Sequence, residues 1–382
     1  MKTQKIIIAS HGYSQSHFKV GSNQYAKEFV RMGHEVLLIT FPVTPFHLVR
    51  IILRKPNYNE SIRKFKSIFR RIYKTEEGYW EFVPFAIFPF HESLPYSLLN
   101  SKMNIINASI IARSQFSDAD ILMIENPKLN WVLKLIKYSI LVYRATDIYL
   151  SMGKNSIKFQ EVERQILGKA NYIITTSEAV KSHLVKQYKL VKKPLVIENG
   201  VDANLFKNKT KVINLKLNFK INLVYIGAID LRINLAIVEN MAENFPDYGF
   251  HFFGPLQIPV NRKFSNLIFH GPIEYKKISS ILDCFDIALM PFLPIKSNFG
   301  RSPMKLYEYG MAGLPVITIN TPHFVKKSKK EKFILTYSNE NEFKLRIQQA
   351  LNEQSSLRKY AILASEQNTW AKKAQMLLSS IT

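Results

Sequence analysis

The chain has 382 residues, 47% of them hydrophobic and 21% charged, which suits two packed domains of roughly 100–200 residues and excludes a disordered polymer. Fifty-three lysines and arginines against 29 acids leave a formal charge of +24, pointing to an anionic partner, either nucleic acid or a membrane surface. Cys284 is the sole cysteine, which excludes a disulfide framework or a cysteine-based zinc site.

Residues 5–10 read as a first buried strand. Their apolar run is too short for a signal peptide, and no stretch approaches the roughly 18 apolar residues of a membrane span, so a cytoplasmic protein is expected. A helix is predicted over 23–32, with Ser22 as its cap and Gly33 as its stop, then a strand over 35–40. Between Phe41 and Lys74 the cations Arg50, Arg54, Lys55, Arg63, Lys64, Lys66, Arg70, Arg71 and Lys74 are interleaved with apolar residues, and Glu60 is the one acid. Positions 62, 65, 68/69 and 72/73 fall on one helical face. That pattern fits a helix lying in a lipid headgroup layer and equally a surface helix packed on a core. No nucleic-acid module accompanies the charge, so an anionic membrane is preferred to nucleic acid as partner.

Further buried strands are predicted over 120–125, 140–144, 172–176 and 195–198, the last ending in the turn Asn199-Gly200. Periodicity fades after residue 202, which places a linker at 206–219 between an N-terminal domain of 1–205 and a C-terminal domain of 220–365. The second series runs strand 222–227, helix 234–244, strands 248–253 and 267–270, helix 275–284, strand 287–291, helix 304–311 and strand 315–319. Helices are predicted over 340–355 and 357–381, with 366–382 crossing back to the first domain. This alternation is α/β: two Rossmann-like, doubly wound domains with a cleft between them and ligands at the carboxyl ends of the strands.

Three groups of residues can carry chemistry. Ser302 and the backbone amides opening the helix near Met304 form a phosphate seat, with Lys305 in the first turn and Glu308 one turn on, placed to accept hydrogen bonds from ribose hydroxyls. A capped helix with a solvated ion pair is the plainer alternative. Asp147 follows a buried strand at the edge where sites form; partly desolvated, its carboxylate can take a proton from an alcohol. Glu125 is the second candidate base, Asp118 and Asp120 read as loop acids, and Asp230 reads as a turn residue. His11 and His17, in the loop after the first strand, are candidates to touch an acceptor. The nine histidines show no metal-ligand spacing, so no metal is expected.

The segment Arg301-Ser-Pro-Met-Lys-Leu-Tyr-Glu-Tyr-Gly-Met-Ala-Gly-Leu-Pro-Val-Ile resembles the nucleotide-sugar site of GT-B glycosyltransferases. The resemblance extends through Glu198-Asn-Gly-Val-Asp202 with Phe206, Val224-Tyr-Ile-Gly227, His270-Gly271, Phe285-Asp-Ile-Ala-Leu-Met-Pro291 and the segment opening at Trp370. In the first half, Phe18-Lys-Val-Gly-Ser22 and Val142-Tyr-Arg-Ala-Thr-Asp147 are similar to one branch, the glucuronosyltransferase of xanthan-type exopolysaccharide assembly. That resemblance implies an inverting transfer from a UDP-sugar, glucuronic acid among them, to a sugar carried on a polyprenyl diphosphate at the inner face of the membrane. It implies Asp147 as general base and donor contacts at Gly227, Phe292, Arg301, Ser302, Met304, Lys305 and Glu308. Without an Asp-x-Asp motif, the leaving diphosphate would be stabilised by Lys305, with Arg301 as a second cation and the helix dipole, in place of a metal ion. Arg301 or Lys305 would also meet a uronate carboxylate. Three positions depart from the pattern: Pro303 replaces a serine, Pro272 a glutamate at the donor site, and Gly300 the glutamate of retaining GT-B families. A retaining hexosyltransferase and a membrane-associated assembly partner without turnover are the alternatives.

Overall fold

A computed structural model describes residues 2–16, 19–54, 58–87, 103–149, 157–207, 215 and 217–381. Two compact units divide the chain: Met1–Thr176, Val180–Ile197 and Met376–Thr382 form the first, and Ser177–Ala179 with Glu198–Gln375 the second. The expected linker at 206–219 begins inside the second unit, and its residues 208–214 and 216 lie outside the described residues.

In the first unit the strands are β1 (Lys5–Ala9), β2 (Glu35–Ile39), β3 (Ile72–Lys74) and β4 (Trp80–Phe82), followed by β5 (Asp118–Ile124), β6 (Lys137–Ala145), β7 (Tyr172–Thr175) and β8 (Leu195–Val196). Their spatial order is β3-β4-β2-β1-β5-β6-β7-β8, and every neighbouring pair is parallel except β3 with β4. Ile6, Ile7 and Ile8 of β1 pair with Val36, Leu37 and Leu38 on one side and with Ile121, Leu122 and Met123 on the other. Such unbroken apolar runs are what a parallel sheet covered on both faces requires.

Helix α1 (Gly21–Arg31) starts two residues before the predicted helix. Ser22 does not cap it: its hydroxyl is buried against Ser10 Oγ at 2.8 Å, and Asn23 Oδ1 accepts from the Val20 amide instead. Gly33, with φ of +86°, follows the helix as expected. Asp118 and Asp120 lie within β5 and not in a loop; Asp120 Oδ2 accepts from the Lys5 amide at 2.7 Å, fastening the start of β1.

The basic segment also differs from its pattern. It forms two helices, α2 (Pro45–Ile52) and α3 (Tyr58–Ile68), and Ile72 and Tyr73 then enter the antiparallel edge strand β3. Phe65 and Ile68 of α3 pack on Tyr13, Val43 and Val83, so the predicted lipid-facing residues of this helix serve a core. It is α2 that buries none of its residues: Phe46 and Ile52 are 58% and 77% exposed, and Phe69 beyond α3 is 76% exposed.

Among the described residues the second unit has six strands, β9 (Ile221–Ile226), β10 (Tyr248–Phe253), β11 (Leu267–Gly271), β12 (Ile287–Met290), β13 (Val316–Ile319) and β14 (Ile334–Tyr337). All are parallel, in the order β11-β10-β9-β12-β13-β14. The single C-terminal helix expected over 357–381 is two, Gln354–Gln367 and Trp370–Ile381. The break has a tertiary cause. Val201 donates its amide to Asn368 O and accepts from the Trp370 amide, both at 3.0 Å, so Asn368 and Thr369 pair with a strand-like segment.

Candidate functional site

In the second sheet the strand order turns at β9: β10 and β11 extend on one side of it, β12 to β14 on the other. Ligands of open α/β sheets bind beyond the carboxyl ends of the strands at such a switch point. Gly227 follows β9 and Phe292 lies just past β12, and the loop leaving β9 returns to bridge Ile233 with Phe292.

Lys305 reaches this point. Its Nζ lies 3.1 Å from the Tyr225 hydroxyl, 4.2 Å from the Tyr225 ring centre and 5.8 Å from that of Phe292. A Cβ at position 227 would fall 2.3 Å from that ammonium, and Gly227 has φ of +150°, so glycine is needed both for the space and for the backbone. At the end of β10, a Cβ on Gly254 would meet Gly227 O at 1.9 Å, so the two glycine backbones pack directly on each other. Lys305 forms no ion pair among the described residues.

Burial and three charged neighbours shape its charge. Burial pushes the Lys305 ammonium down to about 7, partly opposed by the carboxylates of Glu308 and Asp230 and reinforced by Arg232. Burial pushes the Glu308 carboxyl up to about 7, against Lys305 and a hydrogen bond from Tyr275. Glu308 Oε1 is buried without a hydrogen-bond partner. Arg232, which motif reading passed over, is held by Asp230: Oδ1 accepts from its Nε at 2.7 Å and from its amide at 3.0 Å, and Oδ2 pairs with Nη2. Burial works against ionisation of Asp230, but these bonds hold its carboxyl below the usual range. The one sequence signal for this cation was the spacing Asp-x-Arg in the loop after Gly227.

The other predicted donor residues are placed differently from the phosphate seat expected of them. Ser302 Oγ accepts from the Asn199 amide at 3.1 Å, and its carbonyl from Asn199 Nδ2 at 2.7 Å. Met304 flanks a helix of only seven residues, Lys305–Met311, and the amides of Leu306, Tyr307 and Glu308 donate to the carbonyls of Pro303 and Met304. Those three amides are therefore already engaged within the chain and do not form a free helix start. Arg301 is partly buried, and its Nε has no hydrogen-bond partner.

In the first unit, β1, β5 and β6 are neighbours, so His11, Glu125 and Asp147 arrive at one carboxyl edge. Asp147 is partly buried, and Thr146 Oγ1 donates to its Oδ2 at 3.2 Å. Its loop is pinned from both sides: Thr146 O accepts from Thr176 Oγ1 at 2.8 Å, and the Tyr149 hydroxyl donates to Glu125 O at 2.6 Å. Glu125, the second candidate base, has a structural task instead. Its side chain is 1% exposed, accepting from Arg144 Nη1 and Ser10 Oγ, each at 2.7 Å, while Arg144 stacks over Tyr25. Removing one partner of such a buried pair costs about 3–5 kcal/mol, which binds Glu125 to the fold. His11 is exposed, its ring 6.3 Å from that of Phe41. His17 lies outside the described residues. Among the described residues no group of three or more His, Cys, Asp or Glu side chains could hold a metal ion.

Residues 23–205 match the model of Glycosyltransferase Family 4. Over 180 residues the chain is 26% identical to TuaH of Bacillus subtilis (strain 168), whose name gives it as a glycosyltransferase of teichuronic acid biosynthesis; the match covers 44% of this chain and 45% of TuaH, less than half of that relative's length. Among solved structures, sucrose-phosphate synthase from Thermosynechococcus elongatus superposes with a TM-score of 0.71 at 13% identity, covering 99% of this chain and 98% of that one. HepE from Anabaena in complex with UDP gives 0.66 at 13% identity, covering 99% of both chains. The fold is GT-B, with two Rossmann-like domains.

Proposed function

We propose that this chain is a glycosyltransferase of bacterial polysaccharide synthesis. Its second unit holds a nucleoside-diphosphate sugar, and its first unit holds the hydroxyl of a sugar carried on a polyprenyl diphosphate. The observation that carries the reading is the Lys305 ammonium at the strand switch point, packed on Tyr225, making room for itself at Gly227 and lacking an ion pair among the described residues. A desolvated cation of this kind is stabilised by a ligand that brings negative charge.

The proposed reaction is a single inverting displacement. The acceptor hydroxyl gives its proton to Asp147 as its oxygen bonds to the anomeric carbon, and the bond from that carbon to the donor phosphate oxygen breaks. The charge left on the diphosphate is met by Lys305, with Arg232 beside it. Glu308 Oε1, without a partner, accepts from the ribose. UDP is the proposed nucleotide, since HepE, with the same fold, was solved with UDP and with UDP and glucose. Glucuronic acid is the proposed sugar, its carboxylate met by Arg301. The similarity to TuaH supports polysaccharide synthesis as the setting. A thermal-shift panel of nucleotide sugars tests the donor: UDP-glucuronate should stabilise the protein more than UDP-glucose or GDP-mannose, because stabilisation grows with ligand excess over Kd. No shift with any nucleotide would overturn the reading.

The same proposal puts the protein on the inner face of the cell membrane. No helix of the described residues is long and apolar enough to cross a membrane. Helix α2 offers another mode, with Phe46, Val49 and Ile52 exposed and Arg50 and Arg54 beside them. Cosedimentation with vesicles containing phosphatidylglycerol should fall several-fold in the triple variant Phe46→Ser, Val49→Ser, Ile52→Ser. Unaltered sedimentation would remove α2 as the contact.

A further inference from the structure

We infer that Glu81 is a positioning residue, whose carboxylate fixes the loop after β1 that carries His11 and thereby sets engagement of the acceptor. This rests on the proposed role of the first unit in holding the acceptor.

Glu81 sits in the three-residue strand β4 and is fully buried. A buried carboxylate is costly unless its oxygens are hydrogen-bonded, and burial raises the Glu81 carboxyl above its ordinary range against the donors that surround it. Those donors come from the loop and from the sheet edge. Oε1 accepts from the Ser14 amide at 2.7 Å; Oε2 accepts from Ser14 Oγ at 2.5 Å and from the Tyr73 hydroxyl of β3. The Ser14 carbonyl is taken as well, by Lys19 Nζ at 2.6 Å, and Lys19 is itself paired with Glu77 at 3.0 Å. Every polar group of one loop residue is thus held by side chains, where a surface loop ordinarily turns to water.

Tyr13, one residue earlier, extends the tie. It is buried, and its hydroxyl lies 2.9 Å from Ser67 Oγ of α3, which bonds Arg63 O at 3.0 Å. The loop after β1 is therefore fixed at two successive residues to the hairpin β3–β4 and to α3. His11 lies three positions before Ser14, so its placement at the carboxyl edge depends on this tie. Glu81 itself touches none of the residues proposed to react.

The test uses the full chain with UDP-sugar donor and a polyprenyl-diphosphate-linked acceptor, together with hydrogen exchange measured without substrates. Glu81→Leu and Ser14→Ala should each speed exchange in the peptide spanning residues 11–16, with β5 and β6 unchanged. They should raise the acceptor KM about tenfold, with donor KM and kcat within about twofold of the parent. Glu81→Gln, which keeps an oxygen for the Ser14 amide, should restore most of the acceptor KM. Should Glu81→Leu fail to fold, Ser14→Ala carries both readouts. Unchanged exchange in residues 11–16, exchange raised equally across the first unit, or an unchanged acceptor KM despite faster loop exchange would each overturn the assignment. Parent turnover separates the two levels: its absence means that the functional reading has failed, whereas turnover with unmoved acceptor KM means that only the role of Glu81 has.

Discussion

Replacing Lys305 with alanine is expected to weaken UDP binding about a hundredfold and to flatten its pH dependence. The magnitude follows from removing one desolvated charge that meets another, typically worth 2–5 kcal/mol, with each ~1.4 kcal/mol a factor of ten. The sign of the pH effect follows from the coupled pair. Below pH 7 the site holds a Lys305 ammonium and a neutral Glu308 carboxyl; as pH rises through about 7 the amine loses its proton and the carboxyl ionises. Both changes remove positive charge from the place where a diphosphate binds. Affinity in the parent protein should therefore be greatest below pH 7 and fall above it, by roughly tenfold per unit for each proton the bound anion must recover. In Lys305→Ala only Glu308 titrates, so the slope should shrink. Gly227→Ala should reproduce part of the loss, because its Cβ occupies the ammonium's place. Calorimetric titration of UDP between pH 6 and 9 measures all three. A parent affinity that is flat or rises above pH 7 would sink the anion site, as would a variant that binds within about threefold of the parent.

Gly227 and Phe292 entered through the family resemblance and Lys305 through its place in the first turn of a helix; the fold brings the three together, with the Lys305 ammonium beside Gly227 and 5.8 Å from the Phe292 ring. Arg232 was not legible, since its value depends on the Asp230 carboxylate folding back over two residues, a contact that composition cannot distinguish from an ordinary turn. Tyr225 is buried in β9, and its hydroxyl faces the ammonium, a contact no linear spacing shows. Glu125 and Asp147 are both acids near strand ends, read as second and first candidate base. Only the buried Arg144, arriving from β6, separates them. The period of 3.6 carried through residues 72 and 73 because a three-residue edge strand is too short to impose its own alternation, and the same brevity hid β4 and with it Glu81. Helix-start reasoning failed where tertiary partners intervened: Ser22 bonds Ser10, and Ser302 bonds Asn199.

Substituting Asp147 with asparagine should lower transfer by 10²–10⁴-fold, the usual worth of a general base, while UDP affinity stays within about twofold. The two expectations separate because Asp147 belongs to the first compact unit and Lys305 to the second. Asparagine keeps the size of the side chain and an oxygen for the Thr146 hydroxyl, so the pinned loop should persist. What is lost is the ability to take a proton as the acceptor oxygen bonds to carbon. Glu125 cannot substitute, since its carboxylate is committed to Arg144 and Ser10. The measurement is nucleotide release with a lipid-linked acceptor, accompanied by the anomeric configuration of the product by NMR. A variant that keeps more than about a tenth of the parent rate would move the base elsewhere. A product that retains the donor's configuration would replace the single displacement with a retaining mechanism, in which no carboxylate at this edge need receive the proton.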